Sequence, residues 1–302
     1  MRKFFITIFF VLFYIVGVHA QLLYKISGNN LPRPSYIIGT HHLANVGFVN
    51  KIKSVNDALT NTEQVYGELI WDNMTNADSV AYMKQQMTLP DGKTLKDVLS
   101  TEQYAKLNAY LKSAMQADLN NPIVQAQMGK LTPLAMVIQL TILSYMTKHI
   151  GEFDPTSTFD QYFQAQAKKN KEYVGGLETV AFQAKVLYGS MPLQRQLVML
   201  ECFLDHTAFM EEMAEKMSEA YYAQDLNALK AAQDEKLNNS CDNTPEENDL
   251  LIYSRNTDWL KKMPAIMAKA PTFFVVGALH LPGDKGVLDG LRKLGYTVEG
   301  VR

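Results

Sequence analysis

Cysteine is nearly absent. Two in 302 residues, Cys202 and Cys241, are too few for a disulfide-built scaffold, and with widely separated histidines they exclude a zinc finger. Basic runs are missing too. Lys plus Arg number 29 against 31 Asp plus Glu, a mildly acidic balance that gives no support to nucleic-acid binding. After the N-terminal segment no apolar stretch approaches the roughly 20 residues a membrane span requires. The chain has no Gly-x-Ser-x-Gly elbow, no Walker loop and no dinucleotide fingerprint, and without His-Glu-x-x-His an ordinary zincin is excluded. A hydrophobic content of 47% with 20% charged residues is globular in character, so disorder is not indicated.

What is present begins with an export signal. Arg2-Lys3 precede an apolar run from Phe4 to Val18, and Val18-His19-Ala20 resembles a small-x-small cleavage site before Gln21. Residues 1–20 are expected to be removed. That leaves residues 21–302 as a single exported domain, periplasmic or extracellular, with no stable membrane span. In such a compartment Cys202 and Cys241 can pair, closing a loop worth about 4 kcal/mol in the chain-entropy model. The bridge is the favoured expectation. The alternative is two free thiols, with Cys202 simply part of an apolar helix.

Apolar runs at Leu22–Ile26 and Ser35–Ile38 flank Gly28-Asn29-Asn30 and read as a β-hairpin. Val49, Ile52, Val55 and Leu59 predict a helix over Val49–Thr60, and Gln64–Leu69 a strand carrying Glu68. Helical spacing then covers Ala77–Met87, Leu95–Ala117, Pro133–Ile150 and Phe159–Lys169, a helical insertion over about 74–170. Lys171–Gly176 reads as a strand ending at Glu178. Helices follow over Thr179–Tyr188 and from Leu193 to about Lys236, then a polar loop, then a helix over Glu246–Ala268. Thr272–Val276 is a buried strand, Gly286–Leu294 a helix and Thr297–Val301 a last strand. The prediction is an α/β fold.

Two segments repeat one pattern. Gly39-Thr40-His41-His42-Leu43 and Gly277-Ala278-Leu279-His280-Leu281 each follow an apolar strand and precede a helix and another strand. Such crossovers imply parallel strands, and ligands collect beyond the carboxyl ends of those strands. Two units side by side bring His42 and His280 to one cleft. Glycine is expected to let the chain leave the strand at dihedrals closed to other residues, leaving an imidazole free as metal ligand or general base. Glu68 ends the first unit on the same edge, where a carboxylate can join two imidazoles around a divalent ion or polarise water. Glu178 is a second strand-end acid, able either to assist catalysis or to favour a helix N-terminus. Arg255-Asn256 offer a fork and a neutral donor for a substrate carboxylate or oxyanion, or else a buried bridge. His41, His149 and His206 read as structural. The fifteen Met and fifteen Tyr follow helical spacing as core or groove lining.

Ser35–Leu43 (SYIIGTHHL), Gly67-Glu68-Leu69, Gly176–Gln183 (GLETVAFQ), Arg255-Asn256 with Trp259, and Phe273–Gly283 (FFVVGALHLPG) resemble the TraB/GumN family. That family is a relative of the Tiki metalloproteases and, more remotely, of the erythromycin esterases. The resemblance spans nearly the whole mature chain, most specifically in the Gly277–Gly295 block. It implies an α/β fold with a central mixed sheet and a large helical insertion, and divalent-metal-dependent peptide cleavage by His42, His280 and Glu68. The chain departs from the family's Glu-Leu-Asp, reading Glu68-Leu69-Ile70 with its acid, Asp72, two places later.

The resulting expectation is a metal-dependent hydrolase of a peptide or amide bond, with Zn, Mn, Fe or Co held by His42, His280 and Glu68. Glu178, Arg255 and Asn256 assist. One alternative is a metal-free esterase using a His base with a Glu partner. The other is a protein that binds a peptide or small molecule without turnover.

Overall fold

The computed structural model describes residues 21–152 and 157–301, so the expected signal segment, residues 1–20, lies outside the described residues. Six strands form one sheet: β1 (Leu23–Gly28), β2 (Ser35–Thr40), β3 (Gln64–Gly67), β4 (Tyr173–Gly176), β5 (Thr272–Gly277) and β6 (Tyr296–Gly300). Their spatial order is β4-β3-β5-β2-β1-β6. β4, β3, β5 and β2 run parallel, and β1 lies antiparallel between β2 and β6. The sheet is mixed, as the sequence predicts.

The hairpin turns where Gly28, Asn29 and Asn30 all take positive φ, the region glycine and asparagine tolerate best. β5 is apolar along its length and buried from Thr272 to Val276, the pattern of a central parallel strand covered on both faces. It sits between β2 and β3. Both strand–helix–strand units are therefore crossovers that skip neighbours: β2 reaches β3 across β5, and β5 reaches β6 across β2 and β1.

Several helices differ from their periodicity. The stretch Val49–Thr60 is a 3-10 turn, Val46–Lys51, and a short α-helix, Val55–Thr60, separated by Ser54 at φ 59°. Val49, Ile52 and Val55 are spaced by three, which fits a 3-10 turn as well as an α-helix. Leu95–Ala117 splits into Leu95–Val98 and Thr101–Met115, because Ser100 and Gln103 form a capping box that starts a new helix. The short helix Pro122–Met128 has no counterpart in the periodicity, although Asn121 capping a proline at the first turn is its signature.

The apolar interior falls into two clusters. One surrounds the sheet. The other joins Leu95, Leu107, Leu111, Met136 and Leu140 of the insertion to Leu200 and Phe203 of the helix Leu193–Asp205. The insertion's last helix, Phe159–Lys169, belongs to the sheet instead: Phe159, Phe163 and Ala167 are buried in the sheet cluster, and Phe163 packs on Phe273 at 5.0 Å. A disulfide joins Cys202 to Cys241 with Cα atoms 5.4 Å apart, tying the helix Leu193–Asp205 to the polar loop. No helix among the described residues is long and apolar enough to cross a membrane.

Candidate active site

The carboxyl ends of β2, β5, β3 and β4 lie along one edge, and the sequence-predicted residues sit on the loops leaving it. β2 and β5 are adjacent, with Gly39 opposite Val276 and Thr40 opposite Gly277. The second Gly-x-x-His thus starts one residue further along its strand than the first. The two histidines are consequently not equivalent: His280 ends a buried 3-10 turn, whereas His42 lies on an exposed turn.

The motif glycines are explained by space rather than by dihedrals. Neither Gly39 nor Gly277 has positive φ. A Cβ on Gly39 would lie 3.0 Å from Ala278 and Leu281, so glycine lets the two loops touch. A Cβ on Gly277 would lie 3.2 Å from the Glu68 carboxylate, which the bare backbone N–H instead meets in a 2.8 Å hydrogen bond.

Arg255 organises the cluster. It is 4% exposed, and all five of its N–H groups are committed. Nε and Nη2 donate to the two oxygens of Glu178 at 2.8 and 2.9 Å, Nη2 also to Glu68 Oε2 at 2.7 Å. Nη1 meets the Leu251 carbonyl at 3.0 Å and His280 Nε2 at 3.1 Å. Asn256 is equally committed. Its amide nitrogen donates to the carbonyls of His280 and Lys285, so its oxygen faces His280 Nδ1 at 2.6 Å and accepts that N–H. The network assigns His280 as neutral, protonated on Nδ1, with the Nε2 lone pair turned to Arg255. Trp259 lies against the His280 ring, centroids 4.4 Å apart.

Arg255 and Asn256 were read either as holding substrate or as a buried bridge; both are buried with their side-chain donors spent on neighbours, among them Glu68 and His280. Glu178, read either as assisting catalysis or as favouring a helix N-terminus, has a side chain 1% exposed. Its oxygens accept from Arg255 twice, from Trp259 Nε1 at 2.9 Å and from Gln183 at 3.3 Å. That fills the carboxylate, leaving no lone pair for chemistry.

Glu68 differs in one respect. Oε2 accepts from Arg255 and from Gln183 at 2.8 Å, whereas Oε1 accepts, among the described residues, only the Gly277 N–H. One acceptor position on Oε1 stays open, 3.9 Å from His280 Nε2. Burial pushes the Glu68 carboxyl up, but His280, Arg255, His42 and the Gly277 N–H together outweigh it and hold the pKa at about 2. Burial pushes His280 down to about 4, against the pull of Glu68. His41 turns inward against Tyr221, ring centroids 5.4 Å apart, and burial, then His42, lower its pKa to about 4.

Asp160 was not anticipated. It lies in the first turn of the helix Phe159–Lys169, 8% exposed, with Thr40 Oγ1 3.5 Å from Oδ2. Burial raises its carboxyl to about 6, with His42 opposing and Glu68 reinforcing the rise. A lone acid in a first helical turn is ordinary, so no sequence signal marked it.

Charge and lone pairs show whether the residues suit a divalent ion. Of three buried carboxylates, Glu68 and Glu178 share the Arg255 guanidinium and Asp160 is in no ion pair among the described residues, while His41 and His280 are neutral at pH 7. Negative charge is in excess, and imidazole and carboxylate are suitable donors. The residues therefore fit a divalent ion in charge and donor type. They are not gathered around a point: among the described residues no three His, Cys, Asp or Glu side chains are grouped to hold one.

The arrangement defines an α/β protein with an acid–imidazole cluster at the ends of adjacent parallel strands. Residues 22–300 match the TraB/PrgY/gumN family, and the chain belongs to that family. It is similar to Metalloprotease TIKI1 of Danio rerio, 25% identical over 302 residues, covering 88% of this chain and 60% of that protein. It is similar also to Metalloprotease TIKI1 of Homo sapiens, 24% identical over 309 residues, with 88% and 59% covered. Metalloprotease TIKI2 of Xenopus tropicalis is 23% identical over 310 residues, with 88% and 57% covered. The chain thus spans about 60% of the length of the curated relatives it matches.

Proposed function

We propose that the protein is an exported, metal-dependent hydrolase cleaving a peptide or amide bond at the strand ends that carry His42, His280 and Glu68. One observation carries the reading. Glu68 keeps an open acceptor position beside His280 Nε2, in a buried cluster whose carboxylates outnumber its cations. The relatives named metalloproteases support the same chemistry, and the apolar segment after Arg2-Lys3 supports export.

His42, His280 and Glu68 would hold the ion, Zn, Mn, Fe or Co by donor type, which supplies Lewis acidity toward a carbonyl and acidifies water. The chain's own groups orient and charge the site. Glu68, held near pKa 2, stays ionised at neutral pH and acts by its charge, since so weak a base removes few protons. Asn256 fixes the His280 tautomer so that Nε2 carries the lone pair.

The test uses the mature chain and a peptide library. Cleavage should stop on chelation and return on adding Mn²⁺, Co²⁺ or Zn²⁺. His42→Ala, His280→Ala and Glu68→Gln should each abolish it, while His206→Ala keeps it. N-terminal sequencing of exported protein should begin near Gln21. Cleavage that survives chelation favours metal-free acid–base catalysis, the reading supported by Arg255 occupying the His280 lone pair. Stoichiometric retention of peptide without products favours a binding protein. A cavity of about 650 Å³ lined by Met199, Met210, Met213 and Met217 supports that reading.

A further inference from the structure

Two side chains bridge Glu68 and Glu178, and they differ in what they leave free. Arg255 is buried with every N–H committed. Gln183 lies on the same pair of acids: its Nε2 donates to Glu68 Oε2 at 2.8 Å and to Glu178 Oε2 at 3.3 Å. Both acids are paired with the Arg255 guanidinium, and an ionised carboxylate only accepts hydrogen bonds. The amide is thereby fixed with its nitrogen toward the acids and its oxygen turned away from them.

That oxygen can take a donor. Gln183 is half-buried, and among the described residues its Oε1 accepts no hydrogen bond. The buried side-chain atoms that lack a partner among those residues are Gln125 Oε1 and Glu172 Oε2, so Gln183 Oε1 is open to solvent.

Its place is specific too. The pairing of β3 with β4 continues past both strands, the Leu177 N–H meeting the Gly67 carbonyl and the Glu178 N–H the Glu68 carbonyl. This sets the two acids side by side at the carboxyl edge of the sheet. The helix Val180–Ala184 starts directly after Glu178, capped by Thr179, and carries Gln183 back over the pair. Glu68 Oε1, with its open acceptor position, is the other oxygen of the carboxylate that Gln183 holds. An outward carbonyl, immobilised on two acids and one carboxylate's width from that position, complements a backbone N–H, which a peptide presents at every residue except proline. Its orientation is set before any ligand arrives, so little ordering opposes the contact.

We propose that Gln183 is a substrate-binding residue whose Oε1 accepts a backbone N–H of the peptide beside the bond that is cleaved. The proposal rests on the peptide-cleaving reading above and names the group that registers the peptide backbone against Glu68.

The experiment pairs a change in the substrate with a change in the protein. A peptide cleaved by the mature protein is resynthesised with a single N-methyl group at each backbone nitrogen in turn, and kcat and KM are measured for wild type and for Gln183→Met. In wild type one position beside the cleaved bond should show a penalty in kcat/KM that includes about 3- to 10-fold for the lost hydrogen bond. In Gln183→Met the unmodified peptide should lose a similar factor, and methylation at that one position should cost about 3- to 10-fold less than it does in wild type. The other positions should keep their wild-type penalties. If Gln183 serves only to hold Glu68, the variant slows every peptide by one common factor and the methylation profile keeps its shape. That result overturns the proposal and leaves the hydrolase reading standing. If wild type cleaves no library peptide, the hydrolase reading falls and this role falls with it. If Gln183→Met does not fold, Gln183→Asn, whose amide is drawn back by one methylene, should flatten the same position of the profile; an unchanged profile there again refutes the contact.

Discussion

Replacing Arg255 by Met removes the only buried guanidinium of the cluster while keeping much of its apolar bulk. Glu178 then loses two hydrogen bonds, Glu68 one and His280 Nε2 its partner. Removing one member of a buried ion pair costs about 3–5 kcal/mol. Two carboxylates share this guanidinium, so the upper half of that range is expected, a fall in melting temperature of roughly 10 °C for a chain of this size. The loss should depend on pH with a definite sign. In wild type the Glu68 carboxyl sits at about 2, below its ordinary 4.5, so its contribution is present above pH 4.5 and disappears only as pH falls toward 2. In the variant burial is opposed by one cation fewer and the Glu68 carboxyl is expected above 4.5, so stability is lost as pH rises through the raised value. The deficit should therefore be larger at pH 8 than at pH 5. Urea denaturation of the mature chain at both values measures it. Glu178→Gln added to Arg255→Met should recover part of the loss. A deficit below about 1 kcal/mol, or one equal at both pH values, refutes the positioning role. A rise in KM with unchanged stability would return Arg255 to substrate.

Breaking the Cys202–Cys241 bridge with Cys241→Ser should lower stability by about 4 kcal/mol or less; two freely alkylated thiols in native exported protein would refute the bridge. Gly39→Ala should cost about 1–3 kcal/mol and reduce turnover, because its Cβ would press the His42 loop off Ala278 and Leu281; unchanged melting and turnover would refute the close-approach argument. His149 lies 3.0 Å from Glu152 and 3.1 Å from Glu215. Burial lowers its pKa, but those two carboxylates raise it by more, so its contribution is full below 6.5 and fades as pH rises through the raised value. His149→Gln should therefore destabilise by about 1 kcal/mol or less at pH 6 and by less at pH 8.5. Thermal melts at the two values check the order.

Much of the fold was legible because local patterns carry it. Gly28-Asn29-Asn30 between apolar runs announces the hairpin, and Phe273-Phe274-Val275-Val276 can only be a strand covered on both faces. The position of β5 between β2 and β3 was not legible, since it rests on pairing between residues more than two hundred apart. At Ser54 a spacing of three read as an α-helix because i, i+3 neighbours serve both helix types. In the site, the strand-end glycines, His280 and Glu68 are visible as motifs. The separation of Glu68 from Glu178 is not, because it depends on which carboxylate Arg255 and Trp259 fill. Asp160 stayed hidden behind an adequate local explanation, the first turn of a helix.

The central place of β5 has a consequence for how the chain comes into being. Its residues, Thr272–Gly277, are made after β1 to β4 and all the helices of the insertion. Until they arrive, β2 and β3 have no strand between them and Glu68 lacks the Gly277 N–H; Arg255 is made only shortly before. Loop closure over so long a separation is slow, whereas the insertion's helices depend on nearer neighbours. A nascent chain, or one clipped ahead of β5, carries His42 and Glu68 in full yet holds neither in place. The cluster is thereby gathered in the order of synthesis: Glu68 and Glu178 are in the chain well before the Arg255 and Gly277 that hold them in place.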